Sequence, residues 1–338
     1  MKNYNDILVS VVMPVYNGAL YLREAIDSIL SQTHTNFELI IINDGSTDNS
    51  EEIIRSYDDY RIRYILNEKN SGICVTLNKG LDVAQGKYIA RMDCDDISVP
   101  ERLQMQVEYM EENPTIGISG SDIMIFGEGI EERVFQMVHE PDLCTAGLLF
   151  NPCFAHPTVI WRREIMDRLR LRYDENYRGL EDFVMWWKFA EVTKLANIPQ
   201  VLLKYRKHKS QETQNRSERV TLQSNEFRRY RYQKMCGITP SSSEMKTLDD
   251  YSYGNFNKFR TEEFNLFVEI MTKIVKRSTY PIYTSKKAIK VLSAKSIGYI
   301  LNQSPHLEAI RIKLLCKAFV RGILPTSWFL RFLKTYLF

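Results

Sequence analysis

The stretch that decides the fold is residues 38–50, ELIIINDGSTDNS. Its first five residues, Glu38 followed by the apolar run Leu-Ile-Ile-Ile, predict a buried strand, and the Asn-Asp-Gly-Ser that follows predicts a turn. Asp48 and Glu51 fall in the first turn of a helix that we expect over residues 47–57, where negative charge is favourable. A strand, a polar turn and a helix therefore follow one another without a long loop.

The same unit occurs before and after this stretch. Residues 8–13 (LVSVVM) predict a strand, and apolar residues at helical spacing from Leu22 to Leu30 predict a helix with one buried face. Further strands are predicted over residues 61–66 and 87–91, with a helix over 73–83 between them. Three strand-to-helix units in succession predict the α/β class, with a mostly parallel sheet flanked by helices.

Beyond residue 97 the pattern is weaker. Ser98 and Glu101 fit a capping box, so we expect a helix to begin at Ser98. The polar stretch 207–224 predicts a loop or linker, and the chain after it predicts mainly helices. The other predicted elements are strands near residues 116–119, 157–161, 194–198 and 201–205 and a helix over 181–191.

The composition is that of an ordinary folded protein, with 44% hydrophobic and 26% charged residues in 338. No run reaches the roughly 18 apolar residues of a membrane span. Residues 1–6 are polar and lack the apolar segment of a cleaved signal peptide. The six cysteines form no CxxC pair and no zinc-like spacing with histidine, so we expect reduced thiols in the cytoplasm.

The charge is unevenly distributed along the chain. Residues 286–338 contain ten basic residues and one acidic residue, a net +9, which leaves −6 for residues 1–285 out of the total of +3. If residues 311–324 are helical, apolar side chains fall on one face and Lys313, Lys317 and Arg321 lie largely opposite. Such a helix suits the anionic inner surface of a membrane, and the alternative is that it packs on the protein body.

Polar groups directly follow the predicted strands, at the edge where open parallel sheets bind ligands. Three carboxylates stand within four residues at Asp93, Asp95 and Asp96 and repel one another unless a divalent cation such as Mg²⁺ or Mn²⁺ joins them. The alternative is an acidic turn before a helix. Taken alone, Asp44-Gly45-Ser46 also fits an ordinary turn, and Glu181-Asp182 also fits favourable charges at a helix start.

In order and spacing, these blocks together resemble the family 2 glycosyltransferases, which have the GT-A fold. The resemblance is close over residues 7–125 and thinner up to about residue 210. It implies a GT-A domain over residues 1–225, with a nucleotide-binding half (1–120) and an acceptor half (121–225), and a separate helical C-terminal region over 226–338. The blocks are PVYNG (14–18), NDGSTDNS (43–50), NSG (70–72), NKG (78–80), GKY (86–88), MDCDD (92–96) and ED (181–182).

The resemblance also implies roles for individual residues. Asp44 takes the uracil of a UDP-sugar, Asp93 lies near the ribose, and Asp95 holds a Mn²⁺ or Mg²⁺ ion that bridges the two phosphates. Asp182 is the general base, with Glu181 as its catalytic neighbour. The other residues implied for the nucleotide-sugar site are Pro14, Tyr16, Asn17, Gly45, Ser46, Asn70, Gly72, Asn78, Lys79, Arg91 and Cys94.

Two interpretations are open for each of four further side chains. The segment Tyr-Arg-Lys-His that ends at His208 resembles a family segment whose histidine reaches the metal or the pyrophosphate; the alternative is an exposed loop histidine. His156 borders the acceptor side or is a structural histidine. Trp186 and Trp187 stack on sugar rings or belong to the core.

The function that the resemblance implies is transfer of a sugar from a nucleotide donor, expected to be a UDP-sugar, to a hydroxyl of a glycan or polyprenyl-linked oligosaccharide. Surface polysaccharides such as capsule or O-antigen are the expected products, made with inversion on the cytoplasmic face of the inner membrane. No nucleic-acid partner is expected. The alternatives are a nucleotidyltransferase, although its Gly-rich basic loop is absent near residues 13–20, and a non-catalytic nucleotide-binding scaffold, against which Asp95 and Asp182 argue.

Overall fold

A computed structural model describes residues 4–209, 211, 218–277, 286–304, 306–307 and 311–324. These residues form two compact units. Unit 1 comprises the described residues of Met1–Cys144 and Pro152–Val220, and unit 2 comprises those of Thr145–Asn151 and Thr221–Phe338.

The described residues contain one sheet of nine strands, with the order β3-β2-β1-β4-β8-β6-β9-β5 and β7 paired to β6. Its strands are β1 (Val9–Val15), β2 (Phe37–Asn43), β3 (Ile62–Leu66), β4 (Tyr88–Arg91), β5 (Ile97–Ser98), β6 (Ile116–Gly127), β7 (Ile130–Phe135), β8 (Ile160–Arg162) and β9 (Lys194–Arg206). Strands β1 to β4 pair in parallel, β6 pairs in parallel with β9, and β8 runs antiparallel between β4 and β6. The sheet is therefore parallel in its first half, as predicted, and mixed in its second.

The helices flank this sheet in unit 1 and make up unit 2. They are α1 (Leu22–Leu30), α2 (Ser50–Arg55), α3 (Ile73–Val83), α4 (Arg102–Glu112), α5 (Pro141–Gly147), α6 (Arg163–Leu169), α7 (Glu181–Ala190), α8 (Glu218–Cys236), α9 (Ser242–Ser252), α10 (Thr261–Arg277), α11 (Lys286–Gln303) and α12 (Arg311–Val320). The predicted α/β arrangement with a helical C-terminal region is confirmed.

The core of unit 1 explains why its first half could be predicted locally. Every residue of β1 is buried, as expected for a central parallel strand covered on both faces. The predicted stripe of α1 is buried at Leu22, Ala25 and Ile29. The register pairs Val15 with Asn43, so the turns that follow β1 and β2 leave the sheet side by side.

The helix predicted from Ser98 was wrong in its start. Ser98 lies in β5, opposite Leu203 of β9, and its N–H donates to Ser28 Oγ while its hydroxyl accepts from Gln32 Nε2 at 3.1 Å. Helix α4 begins at Arg102 and makes no side-chain cap hydrogen bond. The N–H and the hydroxyl of Ser98, which a capping box would use, therefore form hydrogen bonds with residues far away in the chain.

Other boundaries also differ from prediction. The two strands expected near residues 194–198 and 201–205 are one strand, β9, whose register against β6 jumps at Pro199, a residue with no N–H to donate to a ladder. Helix α2 is shorter than the predicted 47–57. The predicted loop over 207–224 was wrong in its second part, because α8 begins at Glu218. Residues 210 and 212–217 lie outside the described part of the chain.

Unit 2 is helical, as predicted for the chain after residue 225. Its core is formed by one face of α10, including Phe264, Phe267 and Met271, and by Leu315 of α12. On α12, Lys313 and Lys317 are exposed. The apolar side of α12 therefore packs within unit 2, which favours body packing over insertion into lipid. Within the part of the chain that the structure describes, no helix is long and apolar enough to cross a membrane.

Candidate active site

The turns after β1 and β2 are locked together by hydrogen bonds between side chain and main chain. Asn17, whose φ of 51° lies in the left-handed region, donates its N–H to Ser46 Oγ at 3.0 Å. Its Oδ1 accepts the N–H of Thr47 at 2.8 Å. One turn further, the Ala19 N–H donates to Asp48 Oδ2. Burial opposes the effect, but hydrogen bonds from Ser50 and Ala19 lower the pKa of the Asp48 carboxyl below its usual value.

Asp44 is buried and organises the loop after β3. Its Oδ1 accepts from Asn67 Nδ2 at 2.7 Å and from the Ser71 N–H at 2.9 Å, and its Oδ2 accepts from the Gly72 N–H at 2.8 Å. Lys79 Nζ extends this network by donating to Asn67 Oδ1 at 2.6 Å. A carboxylate has about four acceptor positions. Three are thus occupied within the protein.

Gly45 permits the close approach of this loop. Its φ is +67°, and a Cβ at this position would lie 2.7 Å from the carbonyl carbon of Lys69 and 2.8 Å from the Asn70 nitrogen. Both are main-chain atoms, so they cannot move away as a flexible side chain would. The main chains of Gly45 and Asn70, both predicted at the site, are therefore packed directly against each other.

Arg91 and Asp93 form a two-pronged ion pair at the end of β4. Both terminal guanidinium nitrogens of Arg91 contact the carboxylate oxygens of Asp93. Burial would lower the pKa of Arg91, but the Asp93 carboxylate raises it above the usual value. Arg91 is buried while Asp93 remains partly exposed, so the two-pronged pair fixes the Asp93 carboxylate just beyond the end of β4.

The predicted carboxylate cluster exists. Ligand oxygens of Asp93, Asp95 and Asp96 lie within 4.8 Å of one another. Asp96 is 1% exposed; its Oδ1 accepts the Arg206 N–H at 2.8 Å, and its Oδ2 has no hydrogen-bond partner among the described residues. Burial first, and then the charges of Asp93 and Asp95, raise the pKa of the Asp96 carboxyl well above its usual value.

His208 joins this cluster. Its Nε2 lies 2.8 Å from Asp95 Oδ2, and its ring centroid lies 5.0 Å from that of Tyr21. The side chain is 16% exposed, which contradicts the interpretation as an exposed loop histidine. Between the aspartates, Cys94 packs toward Gly18, where an added Cβ would lie 2.9 Å from its sulfur. Burial and Asp95 raise the pKa of the Cys94 thiol, so the thiol stays protonated.

Glu181 and Asp182 lie in the first turn of α7. Asp182 Oδ1 accepts the Phe183 N–H at 2.6 Å, and Glu181 accepts the Gly179 N–H. The buried Tyr173 is influenced both by these two acids and by Arg91. Burial raises the pKa of its phenol, and the Arg91 guanidinium opposes that rise. The negative charges of Asp182 and then Glu181 raise the pKa further. The acids of α7 and the Arg91 guanidinium therefore act on the same buried phenol.

Tyr173 is held on both sides. Asn78 makes two hydrogen bonds of 2.8 Å to its main chain, and its hydroxyl lies 2.8 Å from His156 Nε2. Burial and Arg91 lower the pKa of His156 well below its usual value, so this histidine is neutral. Its ring packs edge-on against Trp186. Trp186 and Trp187 are both buried, as the core interpretation predicts.

The predicted site residues differ in their exposure and in the groups that they contact. Tyr16 is exposed at the rim and Pro14 is buried in β1, while Asn78 and Lys79 hold other protein groups. Sequence reasoning missed Asn67, Tyr173 and Arg206, whose importance lies in contacts with residues far away in the chain.

Comparisons with known proteins now decide the family. The model of glycosyl transferase family 2 matches residues 10–169. An uncharacterized glycosyltransferase of Haemophilus influenzae is 38% identical over 221 residues, which cover 61% of this chain and 68% of that protein. This chain belongs to glycosyltransferase family 2. The family 2 glycosyltransferase is also similar to the putative glycosyltransferase EpsE of Bacillus subtilis, with 37% identity over 189 residues, 54% of this chain and 66% of EpsE.

Solved structures confirm the GT-A fold of this family 2 glycosyltransferase. The structure of S. aureus TarS 1–349 in complex with UDP-GlcNAc aligns with a TM-score of 0.59 and 17% identity, over 94% of this chain and 92% of that one. The same TarS fragment in complex with UDP aligns with a TM-score of 0.57. The predicted resemblance to family 2 is thus confirmed for sequence and fold.

Proposed function

We propose that this enzyme transfers a sugar, with inversion, from a UDP-sugar to a hydroxyl of a glycan or of a polyprenyl-linked oligosaccharide. The observation that carries the proposal is the joining of Asp93, Asp95, Asp96 and His208 at the sheet edge where the turns of β1 and β2 meet. The TarS structures that contain UDP-GlcNAc and UDP support a nucleotide-sugar donor of this kind.

The donor set fits a divalent cation. Carboxylate oxygens are the ligands preferred by Mg²⁺ and Mn²⁺, and the buried Asp96 Oδ2 has no hydrogen-bond partner among the described residues. Asp95 and His208 would hold the ion, with Asp93 beside it. When bound, the ion would neutralise the negative charge that develops on the departing diphosphate.

The nucleotide would lie along the interlocked turns. Asp44 has one acceptor position left for a uracil N–H, while its other three keep the loop of Asn70 and Gly72 in place. Pro14, Tyr16 and Asn17 would border the base, with Gly45 and Ser46 opposite. Lys79 and Asn78 would support this pocket through Asn67 and Tyr173.

Asp182 is the proposed base. Its position in the first turn of α7 favours the ionised carboxylate, because the helix N-terminus carries partial positive charge. As the acceptor oxygen bonds to the anomeric carbon, the bond from that carbon to the UDP oxygen breaks and the hydroxyl proton passes to Asp182. Glu181 would keep the turn in shape by accepting the Gly179 N–H.

The proposal extends to the roles of the domains and to the product. We infer donor binding by the half over residues 1–120, acceptor binding by 121–225 and a separate helical region over 226–338. Surface polysaccharide such as capsule or O-antigen remains the proposed product, made in the cytoplasm at the inner membrane surface. The exposed lysines of α12 support electrostatic contact with anionic lipid more than insertion.

Calorimetry of UDP with and without Mn²⁺ tests the proposal. We expect wild-type protein to bind UDP more tightly with Mn²⁺, and Asp95→Asn to lose that gain. Asp167→Asn is the matched control, since Asp167 is an exposed carboxylate paired with Arg163. Absence of UDP binding under every metal condition would overturn the uridine assignment, and GDP and dTDP in the same assay would identify the base instead.

A further inference from the structure

Arg206, at the end of β9, makes several contacts around the carboxylate cluster. Its main-chain N–H donates to Asp96 Oδ1 at 2.8 Å, its Nε donates to the carbonyl oxygen of Asp95 at 2.8 Å, and its Nη2 donates to Glu24 Oε2 at 2.9 Å. The side chain is 11% exposed. One residue thus contacts two members of the cluster and helix α1.

Aromatic rings fix the plane of this guanidinium. Its central carbon lies 4.3 Å from the ring centroid of Tyr21 and 4.5 Å from that of Phe126. Phe126 is also the register partner of Arg206 between β6 and β9. A planar cation held against rings and by directed hydrogen bonds has little rotational freedom, so Arg206 is a rigid support.

The way in which Arg206 contacts Asp95 preserves the carboxylate. The guanidinium donates to the main-chain carbonyl oxygen of Asp95 and not to its carboxylate. The carboxylate Oδ2 contacts His208 instead. His208 follows Arg206 by two residues, and the Tyr21 ring contacts both side chains. Arg206 therefore determines the position of Asp95 through its carbonyl and that of His208 through the shared ring and the short connection.

We propose that Arg206 is the positioning residue that holds Asp95 and His208 in the geometry needed to bind the divalent cation. It does so without being a ligand itself. The inference rests on the proposed function, because it assumes that the Asp95–His208 pair binds the ion. A lysine in its place keeps the charge but has no Nε with a fixed direction, so it cannot hold Asp95 and Glu24 together.

The test compares Mn²⁺ binding by electron paramagnetic resonance in wild type, Arg206→Lys and Arg163→Lys. Arg163 is the matched control: its Nε also donates to a main-chain carbonyl, that of Gly86, and its Nη1 to Asp167, away from the cluster. Loss of a group that orients metal ligands weakens metal affinity by about 10–100-fold. We expect that loss in Arg206→Lys only, with metal-free UDP affinity within about twofold of wild type and activity restored by excess Mn²⁺.

The outcomes separate the inference from the proposed function. Wild-type Mn²⁺ affinity in Arg206→Lys would overturn the role of Arg206 while leaving the UDP-sugar site in place. A wild type that binds UDP but no Mn²⁺ would overturn both the metal site and this inference. If Arg206→Lys does not fold, Phe126→Leu removes one ring contact and keeps the arginine; unchanged Mn²⁺ affinity in that variant would also contradict the proposal.

Discussion

Replacing Asp44 by Asn keeps the size of a buried side chain and removes its charge. Two of its three hydrogen bonds converge on Oδ1 and can be kept by the amide oxygen. The amide nitrogen would then face the Gly72 N–H, which now lies 2.8 Å from Oδ2, donor against donor. A hydrogen bond to a charged group contributes about 1.5–3 kcal/mol and an unsatisfied buried N–H costs about 1–3 kcal/mol, so we expect a loss of about 2.5–6 kcal/mol.

Urea unfolding followed by tryptophan fluorescence measures this loss, since Trp161, Trp186 and Trp187 are buried in unit 1. Hydrogen exchange at the amides of residues 71 and 72 reports the loop directly. Asp59→Asn is the control, because Asp59 also accepts three N–H groups but from Arg61 alone and nearer to solvent. A loss below about 0.5 kcal/mol, the range of ordinary surface substitutions, with unchanged exchange would refute the assigned role of Asp44.

Three further outcomes are expected. Asp182→Asn should lower kcat by about 10²–10⁴-fold and leave UDP affinity unchanged, since a lost general base affects proton transfer only; near wild-type turnover would contradict its role. Because the pKa of His156 is depressed in the folded protein, the unfolded chain binds the proton first as pH falls, and stability should drop below about pH 6.5 by up to about 1.4 kcal/mol per pH unit. In urea titrations at pH 5–7, His156→Gln should reduce that slope, and parallel curves would disprove the assignment. Gly45→Ala should lower the melting temperature more than Gly129→Ala, because both glycines have φ near +70° but a Cβ at Gly129 meets nothing within 4 Å; equal shifts would show that contact with Lys69 is unimportant.

The first half of the fold follows from local patterns. The strand of residues 8–13 and the stripe of α1 are recognisable because burial on both faces of a strand and on one face of a helix imposes a repeat on neighbouring residues. Ser98 shows the limit of this reasoning. The Ser98 hydroxyl could serve either a capping box or the end of a strand. Pairing with Leu203 and the hydrogen bond from Gln32, both far away in the chain, place Ser98 in a strand.

The site shows the same division. Asp93, Asp95 and Asp96 could be identified because they are adjacent in sequence, and their order with Asp44 and Asp182 indicated the family. Arg206 could not be identified, since an arginine in a polar segment is ordinary until Tyr21 and Asp95 are seen beside it. Asn78 was assigned to the ligand, whereas the structure shows its amide on the main chain of Tyr173.

The long sequence separations between contacting residues of the candidate site have a consequence for biosynthesis. His208 meets Asp95 across 113 residues, and Arg206 meets Glu24 across 182. During translation the early strands and helices can pair as they leave the ribosome, because their contacts are local, whereas these late partners have not yet been made. A nascent chain that ends before β9 therefore carries the aspartates without their histidine, so the contact between Asp95 and His208 forms only after residue 208 has been synthesised.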